Sequence, residues 1–232
     1  MSRMGRDVKF SSLEDAAAGE LAGYLAVPAS GRGPAVLVLQ EWWGLVDHIR
    51  DVCDRLAREG FVALAPDLYR GTSTTEPSEA ERRMMDLDIP RAGADLDAAV
   101  SLLLSQDEAV GARIGCIGFC MGGQLALFAA TRNARIGAVV DCYGIHPNVT
   151  LDLSHLRASV LGVFAENDDF VPPAAAHRLE AELREAGVPV HFKVHVGVGH
   201  AFLNDSRPEA YDAASAREAW NDILAFLRAE LA

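Results

Sequence analysis

Hydrophobic and polar positions follow two periods along this chain. Short β-rich apolar runs at 35–40, 61–65, 113–118, 137–142, 160–165 and 190–196 are separated by stretches whose apolar residues recur every three or four positions. That alternation predicts an α/β fold, a mainly parallel sheet with helices on both faces. Two earlier runs, 8–11 and 23–27, read as an antiparallel opening hairpin. After the first central strand, Asp47 is placed to cap a helix in which Ile49, Val52, Cys53 and Leu56 share one face, and Gly60 ends it. Cys53 is then a core residue. Further helices are expected over 94–104, 124–130, 174–186 and 210–231. The segment 71–88 is polar and rich in Thr, Ser and Glu, which suits an insertion or lid better than a tight connection. It follows a strand end, where ligands bind in sheets of this kind.

Composition narrows the class without changing the fold. With 232 residues, half of them hydrophobic, the chain is long enough for one core, and neither repeats nor a linker divide 1–232 into more than a single domain. No apolar run approaches the roughly 20 residues of a membrane span, and none follows the basic start, so a signal peptide is not expected and a cytoplasmic location is. Cys53, Cys116, Cys120 and Cys142 read accordingly as free thiols. A net charge of −12 with no basic run excludes nucleic acid as a partner. The cysteine spacing fits no zinc site, and no motif asks for a metal or an organic cofactor. The oligomeric state is not written in the sequence, and a monomer is compatible with it.

The chemistry begins at Gly118-Phe119-Cys120-Met121-Gly122, a strand-to-helix turn of the form G-x-C-x-G. This is the nucleophile elbow with sulfur in place of the serine oxygen. A sharp turn at Cys120 needs small residues two before and two after, because neighbouring backbone must approach closely. It sets the thiol at the start of a helix, where the partial positive charge favours thiolate, and offers the Met121 N–H as one oxyanion donor. Cys116, inside the strand, is a buried small hydrophobe.

Partners for such a nucleophile come in chain order acid, then histidine. The strand 160–165 ends in Glu166-Asn167-Asp168-Asp169-Phe170-Val171-Pro172-Pro173, so one of Asp168 and Asp169 is the acid candidate and the other a turn or cap. Seven histidines compete for the base. Period-2 alternation puts His191 and His195 on the polar face of the last strand, in solvent. His48, His155 and His177 have polar surroundings and read as surface residues. His146 follows a strand end and can approach a cleft. His200 ranks ahead of it, because Gly197-Val198-Gly199-His200 is a Gly-punctuated loop after the final strand. In the first strand-end loop, Gln40-Glu41-Trp42-Trp43-Gly44, the Trp42 N–H is the second oxyanion candidate. One of the two tryptophans serves as core and cover. A carboxylate entering the pocket at Glu41 is costly without a partner.

The sequence resembles the dienelactone hydrolase, or carboxymethylenebutenolidase, family of α/β hydrolases over nearly its whole length. The resemblance rests on Gln40-Glu41-x-x-Gly44, Pro66-Asp67-Leu68-Tyr69, the elbow with Gly123, Asp168-x-Phe170-Val171-Pro172 and Gly199-His200-x-Phe202. It implies Cys120 as nucleophile, His200 as base and Asp168 as acid, with Glu41 modulating the thiol by meeting it at rest and moving away when substrate binds. It implies cleavage of a small-molecule ester or lactone with no cofactor. The family grips its substrate carboxylate with two arginines: Arg83, or Arg82, falls near the first position, while the second, four residues after the base, is Asn204 here. Arg207 lies three positions further on. With Trp43 and Tyr69, Arg83 and Asn204 are the substrate-binding candidates. The lost arginine and an oxidisable thiol support a rival reading, a non-catalytic ligand-binding or redox-sensing protein on the same fold. Thioesterase or peptidase activity is a third, since elbow and base serve each.

Overall fold

The computed structural model describes residues 4–11 and 19–232. The apolar runs become eight strands of one sheet: β1 (Gly5–Ser11), β2 (Glu20–Ala26), β3 (Gly33–Leu39), β4 (Val62–Pro66), β5 (Ala109–Phe119), β6 (Ile136–Cys142), β7 (Ser159–Asn167) and β8 (Val190–Gly199). Among them run α1 (Asp47–Arg58), α2 (Pro77–Met85), α3 (Ile89–Leu104), α4 (Met121–Arg132), α5 (Pro173–Glu185) and α6 (Ala213–Glu230). β1 and β2 form the expected hairpin, β2 also pairs antiparallel with β4, and the five remaining pairings are parallel. The hairpin's connection, 12–18, and the first three residues of the basic start lie outside the described residues.

Strand order is β1-β2-β4-β3-β5-β6-β7-β8. The chain leaves β3 to one side, for β4, and later returns to its other side, for β5. The loops following β3 and β5 therefore open a crevice at the switch point. β4 and β6 are buried along their whole length, as Val- and Ala-rich strands covered on both faces must be. α1 and α6 cover one face and are tied together by Arg55 stacked on Trp220 and an Arg228–Glu59 ion pair; α3 and α4 cover the other. No helix of the described residues is long and apolar enough to cross a membrane.

Several local expectations need correction. Asp47 does not cap α1: Val46 holds that position without a side-chain bond, and Asp47 lies in the first turn, where its charge suits the helix dipole. The polar segment 71–88 contains α2, a mostly exposed helix begun by Pro77 at its first turn. α3 starts at Ile89, well before 94, because the Asp88 carboxylate accepts from the Arg91 N–H and Pro90 suits a first turn. β8 continues to Gly199 through a bulge, with Gly197 at φ +79° and its N–H donating to Glu166 Oε2. That bulge and α6 upset the alternation: His195 is 4% exposed and Val196 77%. α6 lies over the polar face, where Glu218 and Asp222 accept from Lys193 Nζ at 2.8 and 2.7 Å and His195 stacks on Phe202. His48 is buried too, edge-on to Phe119, with Nδ1 3.4 Å from Asp205 Oδ1. His155 and His177 are exposed as expected.

Candidate active site

β5 passes into α4 through Cys120, which adopts φ 53° and ψ −124°. A side chain is rarely found there, and holding one costs about 1–3 kcal/mol that the surrounding backbone must supply. Cys120 N–H donates to Cys142 O at 3.0 Å, and Cys120 O accepts from Gly123 N–H at 2.9 Å and Ile145 N–H at 3.3 Å. Glycine is required on both sides of the turn for reasons of space. A Cβ at 118 would stand 1.8 Å from Gly122 O, and one at 122 would stand 2.5 Å from Leu39 O. The thiol, 7% exposed, thus stands at the amino end of α4 in the switch-point crevice.

His200 follows β8 directly, and Ala201 after it turns at φ 63°. Its Nδ1 is 2.8 Å from Asp168 Oδ2. The other Asp168 oxygen accepts from the Phe170 and Val171 N–H groups at 2.8 and 2.9 Å, so the same carboxylate orders the turn and orients the imidazole. Asp169 is exposed. Burial works against a charged imidazole, yet hydrogen bonds to Asp168 and Cys120 and their charges outweigh it, and the His200 pKa rises to about 10.

A cavity of about 140 Å³ joins these groups, lined by Glu41, Cys120 and His200 together with Trp42, Trp43, Met84, Ile145 and Phe170. Its volume is well under the roughly 300–1,000 Å³ of sites for drug-sized ligands. Trp43 is the buried tryptophan; Trp42 is half-buried and packs edge-on against both Trp43 and Phe170. Arg207 also lines the cavity, its guanidinium 4.9 Å from the Trp43 ring centre and its Nε donating to Glu209. The Trp42 and Met121 N–H groups are spent on no turn or loop hydrogen bond among the described residues.

A model of the dienelactone hydrolase family matches residues 21–231. The chain belongs to the dienelactone hydrolase family. Among its relatives is Protein usf of Aquifex pyrophilus, 37% identical over 89% of this chain and 92% of that protein. An Aquifex aeolicus protein provisionally named a carboxymethylenebutenolidase is 35% identical over 90% of this chain and 93% of its own. A crystal structure from Klebsiella pneumoniae, provisionally titled a dienelactone hydrolase, superposes with a TM-score of 0.83 at 28% identity, covering 96% of this chain and 99% of that one. This is an α/β-hydrolase fold, and the chain is a hydrolase of that family.

Within this dienelactone hydrolase family member, the remaining candidates do not converge on the Cys120 cavity. Arg83 donates to Thr72 and Glu79 and lines a neighbouring cavity of about 330 Å³ with Arg82 and Arg91. Arg82 is held at the surface by Glu79 and Asp86. Tyr69 lines that same neighbouring cavity, and its hydroxyl donates to Met121 Sδ at 3.3 Å. Burial, then the nearby charge of Cys120, pushes the Tyr69 pKa up. Asn204 is buried, donates from Nδ2 to Glu41 Oε2 at 2.7 Å, and lines a different cavity with Trp43, Ser206 and Arg207. His146 accepts from the Asn148 N–H through Nδ1 and lines no part of the Cys120 cavity. Cys53, Cys116 and Cys142 are fully buried, and burial pushes their thiols up. Among the described residues, no group of three or more His, Cys, Asp or Glu side chains is placed to hold a metal ion.

Tyr143 escaped the sequence reading. It sits at φ 43° just past β6, with its ring 5.0 Å from that of His200 and its buried hydroxyl without a partner among the described residues. Its place directly after a strand's carboxyl end is the one signal that could have found it.

Proposed function

We propose that the chain hydrolyses small, uncharged esters or lactones through a thioester on Cys120. The observation that carries this reading is the shared cavity of Cys120, at its strained turn, and His200, bonded through Nδ1 to Asp168. The imidazole, which keeps its proton to about pH 10, already holds the proton of the Cys120–His200 pair as sulfur bonds to the substrate carbonyl carbon, and the Trp42 and Met121 N–H groups receive the oxyanion. The carbon–oxygen bond to the leaving alkoxide then breaks, and that oxygen takes the proton from His200. Water attacks the thioester, gives a proton to His200, and releases the carboxylic acid as the carbon–sulfur bond breaks. An imidazole that keeps its proton to about pH 10 is well supplied for the first departure. Glu41, in the same cavity, modulates the thiol through its charge. The four unpaired cysteines suit a reducing compartment, and we assign the reaction to the cytoplasm.

The small cavity favours a short acyl group. Arg207 is the one Lys or Arg lining it among the described residues, and Glu209 already holds that guanidinium, which favours neutral substrates over carboxylated lactones. Cys120→Ala is expected to lower kcat/KM on short p-nitrophenyl esters by at least about 10³-fold. Undiminished turnover would overturn the assignment. Comparing kcat/KM on dienelactone and on a neutral short-chain ester tests the substrate class, and the neutral ester is expected to be preferred.

A further inference from the structure

We propose that Asn204 is a positioning residue, which fixes Glu41 beside Cys120 and so sets the pH range in which the thiol reacts. The inference rests on the roles proposed above for Cys120 and Glu41. Both Glu41 and Asn204 are at most 1% exposed, and they meet across 163 positions of sequence. The amide's orientation follows from its partners. Asn204 Oδ1 accepts from the Ser206 N–H at 3.0 Å and from Ser206 Oγ at 2.6 Å, and since the backbone N–H can only donate, the Nδ2 group must face Glu41. That donor is the hydrogen-bond partner of Glu41 Oε2; Oε1 is buried with none among the described residues.

A carboxylate held this way bears on every ionisable group around it. Cys120, His200 and Arg207 line the same cavity; Cys142 and Tyr143, at the end of β6, feel its charge. His48 of α1 and Asp205 form a pair directly after Asn204 in the same loop. A negative charge near a thiol disfavours the thiolate, and the size of the effect depends on distance. Fixing Glu41 therefore fixes how strongly it acts.

Asn204→Asp separates this role from that of a turn residue. An aspartate keeps an oxygen for both Ser206 bonds but turns a second oxygen on Glu41 Oε2, so the donor that holds Glu41 is lost and a negative charge is added next to it. Iodoacetamide reads Cys120 selectively, because the other three thiols are fully buried. The variant's alkylation profile is expected to shift upward by about one pH unit, a tenfold slower reaction at a given pH on its rising limb. The pH profile of kcat/KM should move the same way. E41Q/N204D keeps the bond and returns the charge count to that of wild type, and should recover most of the tenfold loss in alkylation rate. An N204D profile that superimposes on wild type, or a double variant no nearer to wild type than the single one, overturns the inference. Should N204D not fold, N204A is measured in the wild-type and E41Q backgrounds: a shift confined to the former supports the proposal and equal shifts overturn it. Alkylation reads the thiol whether or not esters are cleaved, so failure of the proposed reaction is a separate result.

Discussion

Asp168 and Asp141 are buried carboxylates on neighbouring strands, and their surroundings could hardly differ more. Asp168, just past β7, receives two backbone N–H groups and the His200 ring. Asp141, within β6 and level with Gly118 beneath the elbow, has neither oxygen in full hydrogen-bond geometry among the described residues. Burial pushes its pKa up to about 7, with the Gly144 amide resisting only in part. Equal burial thus goes with a carboxylate supplied with donors in one place and, in the other, one whose pKa is pushed up to about 7. Donors, more than depth, decide which buried acid keeps its charge.

The largest effect is expected where the donors are. Asp168→Asn should leave the fold standing and lower kcat by roughly 10³–10⁴-fold, since it removes the acceptor that fixes the imidazole tautomer. Steady-state kinetics beside a circular dichroism melt would check both halves. Asp141→Asn should act oppositely, raising stability. The folded acid holds its proton up to about pH 7 while the unfolded one releases it near 3.8, so wild type loses stability as pH rises across that window. The variant should therefore gain a few kcal/mol in denaturant melts at pH 8 and almost nothing at pH 3.5.

An alkaline effect belongs to His200. Its folded pKa of about 10 lies above the ordinary 6.5, so its stabilisation is complete below pH 6.5 and is lost as pH rises through 10. Melts of wild type should decline over that range, and Asp168→Asn should flatten the decline. An unchanged slope in the variant would mean the pair is not coupled as described. The smallest effect is expected at His146, which the cavity does not include. His146→Gln should change kcat/KM by less than about threefold.

The elbow was legible from sequence because its demands are local. Gly118 and Gly122 answer to backbone within a few residues and to Leu39 on the adjoining strand. The hairpin, the parallel sheet and the order of Cys120, Asp168 and His200 were legible for similar reasons, being matters of period and loop position. His195 was misread because alternation shows which face a residue is on and not what covers it, and His48 because polar sequence neighbours do not show what packs on it; α6 and Phe119 supply the cover. α2 went unseen since it is short and turns little more than Ala80 and Met84 to the core, although Pro77 marked its start. The meeting of Asn204 with Glu41 has no local signature at all, and only tertiary structure brings the two together.

The last strand and helix carry a consequence for the chain while it is being made. A ribosome delivers Cys120 eighty residues before His200, and β8 gains cover for its polar face only when α6 has followed it. Until then the nascent polypeptide has Cys120 without the imidazole that shares its cavity. Translation that stops short of β8 therefore releases a fragment with an uncovered β7 edge, the quarry of chaperones and proteases.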